Sequence, residues 1–316
     1  MKPKTCTPSN LTTSTQDATF HLVVDSVSLL LSLAGLAGNS LVLWFLGLRF
    51  KQNPFTVYIL HLAGADFCFL LGRAVWFGTN IVYRGLKLNA FRKGVFYLCH
   101  ATLVFNIFMF NTSLGLLTAI SVERGLSVLF PLWYRRHRWK NRPPTLCAVL
   151  WVLSALTATL EFYFCVYQAE AQEAHWLGNA SVRLVSCVLS FLISTPLMVL
   201  SGVVLFAKLR RRGRDLPPAK SCIVVIAAVL TFLAFGLPQR VWFVVKFEFK
   251  VYVSRPVSSV VQLLSCMNSS ANPIIYFFVG NFRKGRGRRS VRLAFLKAFK
   301  EDHHLQEEGE VTSRAP

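Results

Sequence analysis

The sequence predicts an all-α membrane protein: a seven-transmembrane helix bundle followed by a short cytoplasmic amphipathic helix. Three observations carry that expectation. The chain is 53% hydrophobic and 16% charged, whereas a soluble domain is about 25% charged. Its apolar residues gather into seven blocks, at roughly 22–48, 55–82, 95–129, 144–167, 183–207, 221–247 and 257–280. Its basic residues fall unequally on alternate connections between those blocks. A span needs ~20 apolar residues to cross ~30 Å of hydrocarbon. Backbone groups in lipid must be bonded internally, so the blocks are helices. A barrel would show weak ten-residue alternation instead.

The elements follow in order. Residues 1–20 are polar and form an N-terminal tail with no visible cleaved leader, so the first span acts as an uncleaved anchor. Span one contains Gly38-Asn39, span two "LHLAGAD" ending in Asp66, and span three ends in Glu123-Arg124. Trp151 lies in span four, and Pro196, Pro238 and Pro273 lie in spans five, six and seven. Each proline removes a backbone donor and is expected to kink its helix. Residues 281–316 form the tail. There Val291, Phe295 and Phe299 repeat at four-residue spacing among arginines and lysines, as in a helix lying on an anionic membrane surface. No cysteine follows Cys266, so this helix has no palmitoylation site. Residues 21–280 form one membrane domain.

The net charge of +21 would suit a nucleic-acid binder, but its distribution excludes that class. Twenty-two Lys and Arg lie on the side of the first, third and fifth connections and the tail, against ten on the other side. The positive-inside rule then places the tail in the cytoplasm and the N-terminus outside. The sequons at Asn10 and Asn179 both fall on the outer side.

Ionisable residues inside spans are costly and mark function. Here they are Asp25, Asp66, Arg73, Glu123, Arg124, Glu161 and Arg240, with Lys246 near an end. Asp66 suits either a polar lock between helices or an ion site. Glu123 and Arg124 suit either a surface ion pair worth ~0–1 kcal/mol or a switch.

The motifs "GN", "LHLAGAD", "ERG" at 123–125, Trp151, the span prolines and "NPIIY" at 272–276 come in order on successive spans. Over nearly its full length the chain resembles a rhodopsin-like G-protein-coupled receptor. "NPFTVYILHLAGAD", "LLTAISVERGLSVLFPLWYRRHR" and "NSSANPIIYFFVG" resemble the Mas-related receptor subfamily. The resemblance implies a plasma-membrane receptor that couples an extracellular peptide or small molecule to a heterotrimeric G protein, with arrestin as a further partner. It implies that Glu123 holds Arg124 at rest, that Leu132 packs against the G protein, and that Asn272, Pro273 and Tyr276 form a switch. It also implies a sodium site at Asp66, Ser113 and Asn268, and no other cofactor. Glu161 matches an acidic residue that basic ligands use in some members. The second acid of that pair is replaced by Arg183. Glu161 is therefore either a ligand contact or the partner of an arginine. With Arg73, Arg240 and Trp242 nearby, the positive excess favours a ligand with an anionic group. Cys99 matches a bridge position, and Cys99–Cys165 is the expected disulfide, with Cys6 as a rival partner.

Two departures bear on the switch. Gly236 stands where a tryptophan is usual, and Val204 where a tyrosine is usual. They keep open an orphan or constitutively active receptor without a diffusible agonist. A transporter is disfavoured by the absence of an inverted repeat. A retinal pigment is disfavoured because no lysine lies between Lys250 and Lys284. No nucleophile–base or metal-ligand spacing suggests an enzyme.

Overall fold

The structure, a computed structural model, describes residues 8–49, 54–86, 92–136, 142–163, 193–211, 220–249 and 251–281. Its helices are α1 (Pro8–Arg49), α2 (Pro54–Leu86), α3 (Arg92–Leu129), the short α4 (Pro131–Arg136), α5 (Arg142–Glu161), α6 (Thr195–Arg211), α7 (Lys220–Thr231), α8 (Leu237–Phe243) and α9 (Arg255–Asn281). Spans one to three are α1 to α3, span four is α5, span five α6 and span seven α9. Span six is α7 and α8, joined by a π-turn at Phe232–Gly236 and ended by another at Val244–Glu248. The seven predicted spans are thus seven helical segments of one bundle.

Prolines start several of these helices. Pro8, Pro54 and Pro131 are first residues, where a missing N–H costs nothing and the fixed φ suits the helix. Pro196 and Pro238 each follow π-turn residues, 193–194 and 232–236. Pro273 lies inside α9. The helix α1 begins at Pro8, inside the stretch expected as tail. Hydropathy reports where the bilayer lies, whereas the hydrogen-bond ladder continues past its edge.

Span three is central: α3 packs on α2, α5, α6 and α7, while α1 packs on α2 and α9. Tyr58, Phe69, Leu70, Phe77, Leu116 and Met198 are buried between helices. Leu30, Trp44, Val152, Leu200, Leu230 and Phe278 are exposed on the outer faces. Apolar residues both inside and outside are what a bundle with lipid as its solvent requires. Among the described residues five helices are long and apolar enough to cross a membrane: Thr19–Gly47, Phe55–Tyr83, Lys93–Leu129, Pro143–Glu161 and Ser221–Lys246. Span seven is less apolar because it contributes polar residues to the interior, from Ser265 to Asn272.

Cross-span hydrogen bonds fix the packing. Asn39 Nδ2 donates to the Gly35 carbonyl at 3.0 Å and to the Ser269 carbonyl at 3.2 Å, tying span one to span seven. Trp151 Nε1 donates to His61 Nδ1 at 3.3 Å, tying span four to span two. Both residues belong to the motifs noted in the sequence.

Candidate functional site

The site has three layers. At the cytoplasmic end, Glu123 accepts hydrogen bonds from Tyr58 Oη at 3.0 Å and Tyr134 Oη at 3.3 Å. Arg124 lies over the Phe55 ring, 3.9 Å from its centroid, within cation–π range. The sequence pointed to the acid–base neighbours but not to these two phenols. Tyr58 is 65 residues away from Glu123, and no local pattern marks the contact. Just beyond, α4 presents Leu132 at 81% exposure, a large apolar side chain with nothing over it.

In the middle layer, Asp66 is completely buried. Ser113 Oγ donates to its Oδ1 at 3.1 Å and Asn272 Nδ2 to its Oδ2 at 2.7 Å. The Ser269 hydroxyl also reaches the carboxylate. Asp66 therefore joins spans two, three and seven. Its hydrogen-bonding neighbours are neutral, and no cation among the described residues is salt-bridged to it. The Asp66 carboxylate and the Ser113 hydroxyl are hard oxygen donors, which suit an alkali cation, whereas Asn272 turns its N–H to the carboxylate. Asn268 is buried next to span six, its amide carbon 3.2 Å from where a Cβ on Gly236 would sit. Pro273 and the buried Tyr276 continue the layer inward along α9.

Gly236 explains its own identity. A Cβ there would stand 2.6 Å from Phe232 Cδ2, closer than packed atoms come. The Phe232 ring occupies the space that a larger residue at 236 would need, and it lies 6.3 Å from the Phe110 ring. Phe110 in turn lies 6.1 Å from Phe69. Phe69 and Phe110 on spans two and three line the outer cavity, and Phe232 on span six packs behind Phe110. The π-turn brings Phe232 onto Gly236: Leu237 N–H bonds the Phe232 carbonyl, five residues back, and such turns concentrate at functional positions.

The outer layer holds a cavity of about 90 Å³ lined by Arg73, Asn106, Phe110, Gln239, Trp242 and Lys246 among others. One water needs roughly 10–15 Å³, so there is room for a small chemical group. Beside it, Arg240 clasps Glu161 in two-pronged fashion, Nη2 to Oε1 at 2.7 Å and Nη1 to Oε2 at 3.2 Å. Asn111 Nδ2 adds a bond to Glu161 Oε2 at 3.3 Å. Both charges are almost fully buried. Of the two roles open to Glu161 in the sequence, the structure shows the internal ion pair. Arg73 is also buried, 5.0 Å from the centroid of the Phe69 ring. Trp242 donates from Nε1 to Ser258 Oγ at 3.0 Å, and Lys246 Nζ lies 4.8 Å from its ring centroid. These contacts join the outer ends of spans six and seven.

Cys99 is a half-buried free thiol among the described residues. Cys165 itself lies outside the described residues, as do Arg183, Asn179, Cys6 and the amphipathic stretch at 291–299. Asn10 falls in the first turns of α1.

A seven-helix membrane bundle with a buried carboxylate at its centre, an outer cavity and an acid–arginine end to span three defines a seven-transmembrane receptor. The family described as "7 transmembrane receptor (rhodopsin family)" matches residues 38–276. The chain is 39% identical to proto-oncogene Mas of Rattus norvegicus, over 89% of this chain and 84% of that protein. It is 38% identical to Mas-related G-protein coupled receptor member H of Rattus norvegicus, over 93% of this chain and 88% of that one. It is 37% identical to member F of Homo sapiens, over 91% and 81%. The chain belongs to the rhodopsin family of seven-transmembrane receptors and, within it, to the Mas-related G-protein-coupled receptors. It is a membrane receptor and not an enzyme.

Proposed function

We propose that this receptor sits in the plasma membrane with its N-terminus outside, binds an extracellular peptide or small molecule bearing an anionic group, and passes the signal to a heterotrimeric G protein. The observation that carries the ligand class is the cavity, whose lining includes Arg73, Arg240 and Lys246 and no carboxylate. Glu161, the acid that bonds Arg240 of that lining, is committed to it. Closing of the outer layer around a ligand biases a two-state bundle toward the state it binds better. The Phe69, Phe110 and Phe232 rings relay the change to span six. Release of Glu123 from its tyrosines frees the end of span three, and Leu132 on α4 offers an apolar contact to the G protein. Arrestin would use the same face. Sodium at Asp66, held with Ser113 and with Asn268 at the layer's edge, would supply the charge that offsets the buried carboxylate and favour the resting state.

The test is G-protein dissociation in cells, by a biosensor panel covering each α-subunit class, with the intact receptor and Arg124→Ala at matched surface expression. Signal that rises with anionic ligands and is lost in Arg124→Ala is the expected result. Signal that is high without any ligand and insensitive to the library would favour an agonist-independent receptor, a reading that Phe232 packed on Gly236 also suits. No signal at verified surface expression would sink both.

A further inference from the structure

Among the buried polar atoms without a hydrogen-bond partner are Arg73 Nε, Asn106 Oδ1 and Gln239 Oε1, and their residues line the outer cavity. Their residues are 6%, 4% and 8% exposed. Buried polar groups are normally satisfied, and each that is not calls for an explanation. One cationic donor and two neutral acceptors facing one space is an unusual set. It cannot be completed by an anion alone, because the two amide oxygens require N–H or O–H donors.

The surroundings fix the orientation of these groups. Asn106 Nδ2 donates to the Thr102 carbonyl at 2.7 Å, and that bond identifies the other end of the amide as the oxygen. The amide lies against Gly72, the residue before Arg73: a Cβ there would stand 2.9 Å from Asn106 Oδ1. Only glycine leaves room for it. The Arg73 side chain is steadied by the Phe69 ring, and no carboxylate among the described residues is salt-bridged to it. Arg240, by contrast, has its two terminal nitrogens on Glu161. Arg73 is therefore a deeply buried cation of the cavity that carries no carboxylate among the described residues, while Lys246 stands at the Trp242 ring. Ile107, Trp76 and Phe243 add apolar walls to the same cavity, and its volume of about 90 Å³ suits one residue-sized group and not a folded peptide.

We propose that Arg73, Asn106 and Gln239 form a seat for an N-acylated α-amino acid unit with an apolar side chain. Arg73 binds the α-carboxylate, the adjacent amide N–H donates to Asn106 Oδ1 or Gln239 Oε1, and the side chain fills the aromatic walls. The unit has two sources, the free C-terminus of a peptide or a small N-acyl amino acid. This deepens the anionic-ligand reading and rests on it.

The test uses the purified full-length receptor and measures thermal stability, so binding is read without a G protein. The probes are N-acetylphenylalanine and N-acetylleucine, their primary amides, and short peptides ending in Phe or Leu as free acids or amides. The expected result is a concentration-dependent stabilisation by the acids, weakened about 10- to 100-fold in the amides and in Arg73→Gln, as loss of a charge-assisted bond implies. Gly72→Ala, which displaces the Asn106 amide and leaves Arg73 in place, should weaken acid binding as well. Retention of acid binding by Arg73→Lys at intermediate strength would show that the charge, and not the fold, was lost in Arg73→Gln. Small acids binding as well as peptides would identify the metabolite-like source, and peptides binding far better would identify the C-terminus; both support the seat. Equal shifts by acids and amides, an undiminished response in Arg73→Gln, or no shift by any probe would overturn it. The biosensor panel separates the two levels. Acid binding without signalling would sink the receptor-agonist reading and leave the seat standing, and signalling by anionic ligands undiminished in Arg73→Gln would do the reverse.

Discussion

Glu161 in the outer layer and Asp66 in the middle layer are both buried carboxylates, but their surroundings differ in charge. Glu161 receives a guanidinium through two bonds. Asp66 receives a hydroxyl and an amide. Two helical turns outward from Asp66, ~10 Å along α2 at 1.5 Å per residue, Arg73 repeats the pattern with the opposite sign. The outer pair is a strut between spans four and six, its charges already compensated. In the proposed function the other two charges are answered from outside the chain, by a cation inward and an anion outward. On that proposal, compensation and not burial alone separates structure from recognition in this bundle.

The contrast can be broken most severely at the strut. Arg240→Met leaves Glu161 buried without its cation and should cost about 3–5 kcal/mol, seen as a large drop in melting temperature and in surface expression. The double variant Arg240→Met with Glu161→Leu should recover much of that loss, because an apolar pair replaces the ionic one. If the single and double variants melt alike, the pair is not a strut.

The middle layer predicts the opposite behaviour. Asp66→Asn should leave the fold intact and abolish any stabilisation by sodium relative to choline, an effect of about 1–2 kcal/mol in the intact receptor at concentrations ~10-fold or more above Kd. Equal sodium dependence in both proteins would show that Asp66 binds no ion. Between the layers, Gly236→Ala should cost about 1–3 kcal/mol by overpacking against Phe232, with recovery when Phe232 is shortened to Leu.

At the cytoplasmic end the expected effects on stability are smaller and those on signalling larger. Tyr58→Phe removes one hydrogen bond from Glu123, worth about 1 kcal/mol, and should raise basal G-protein activation. Leu132→Ala should change stability by less than about 0.5 kcal/mol, as for an exposed side chain, yet weaken G-protein coupling. A melting shift in Leu132→Ala, or unchanged coupling, would remove α4 from the docking face.

Much of this was legible in the sequence because a bilayer imposes strict rules. Seven apolar blocks became seven helical segments; Ser113 and Asn272 bond Asp66, whereas Asn268, the third member of the implied set, lies against Gly236 of span six. Arg240 and Glu161 were marked by the cost of charge in lipid, although which arginine would reach Glu161 was left open. What escaped was set by tertiary packing. Tyr58 and Tyr134 look like ordinary interfacial tyrosines until the fold brings them to Glu123. Phe232 looks like any core aromatic until Gly236 makes room for it. The orphan oxygens of Asn106 and Gln239 exist only once the helices pack around them. The extra turns of α1 escaped because the hydrophobic pattern ends before the helix does.

The two π-turns of span six also have a bearing on how such a pocket diversifies. Each turn takes up about one residue more than a regular helix would, and one residue is about 100° of rotation at 3.6 residues per turn. The segment Leu237–Phe243, with Arg240 and Trp242, is therefore held in a different angular phase from the inner half of the same span. Shortening Phe232–Gly236 by a single residue would swing Arg240 away from Glu161 without altering any side chain. A change of length, invisible to any comparison of residue types, could then deal this receptor a new set of contacts.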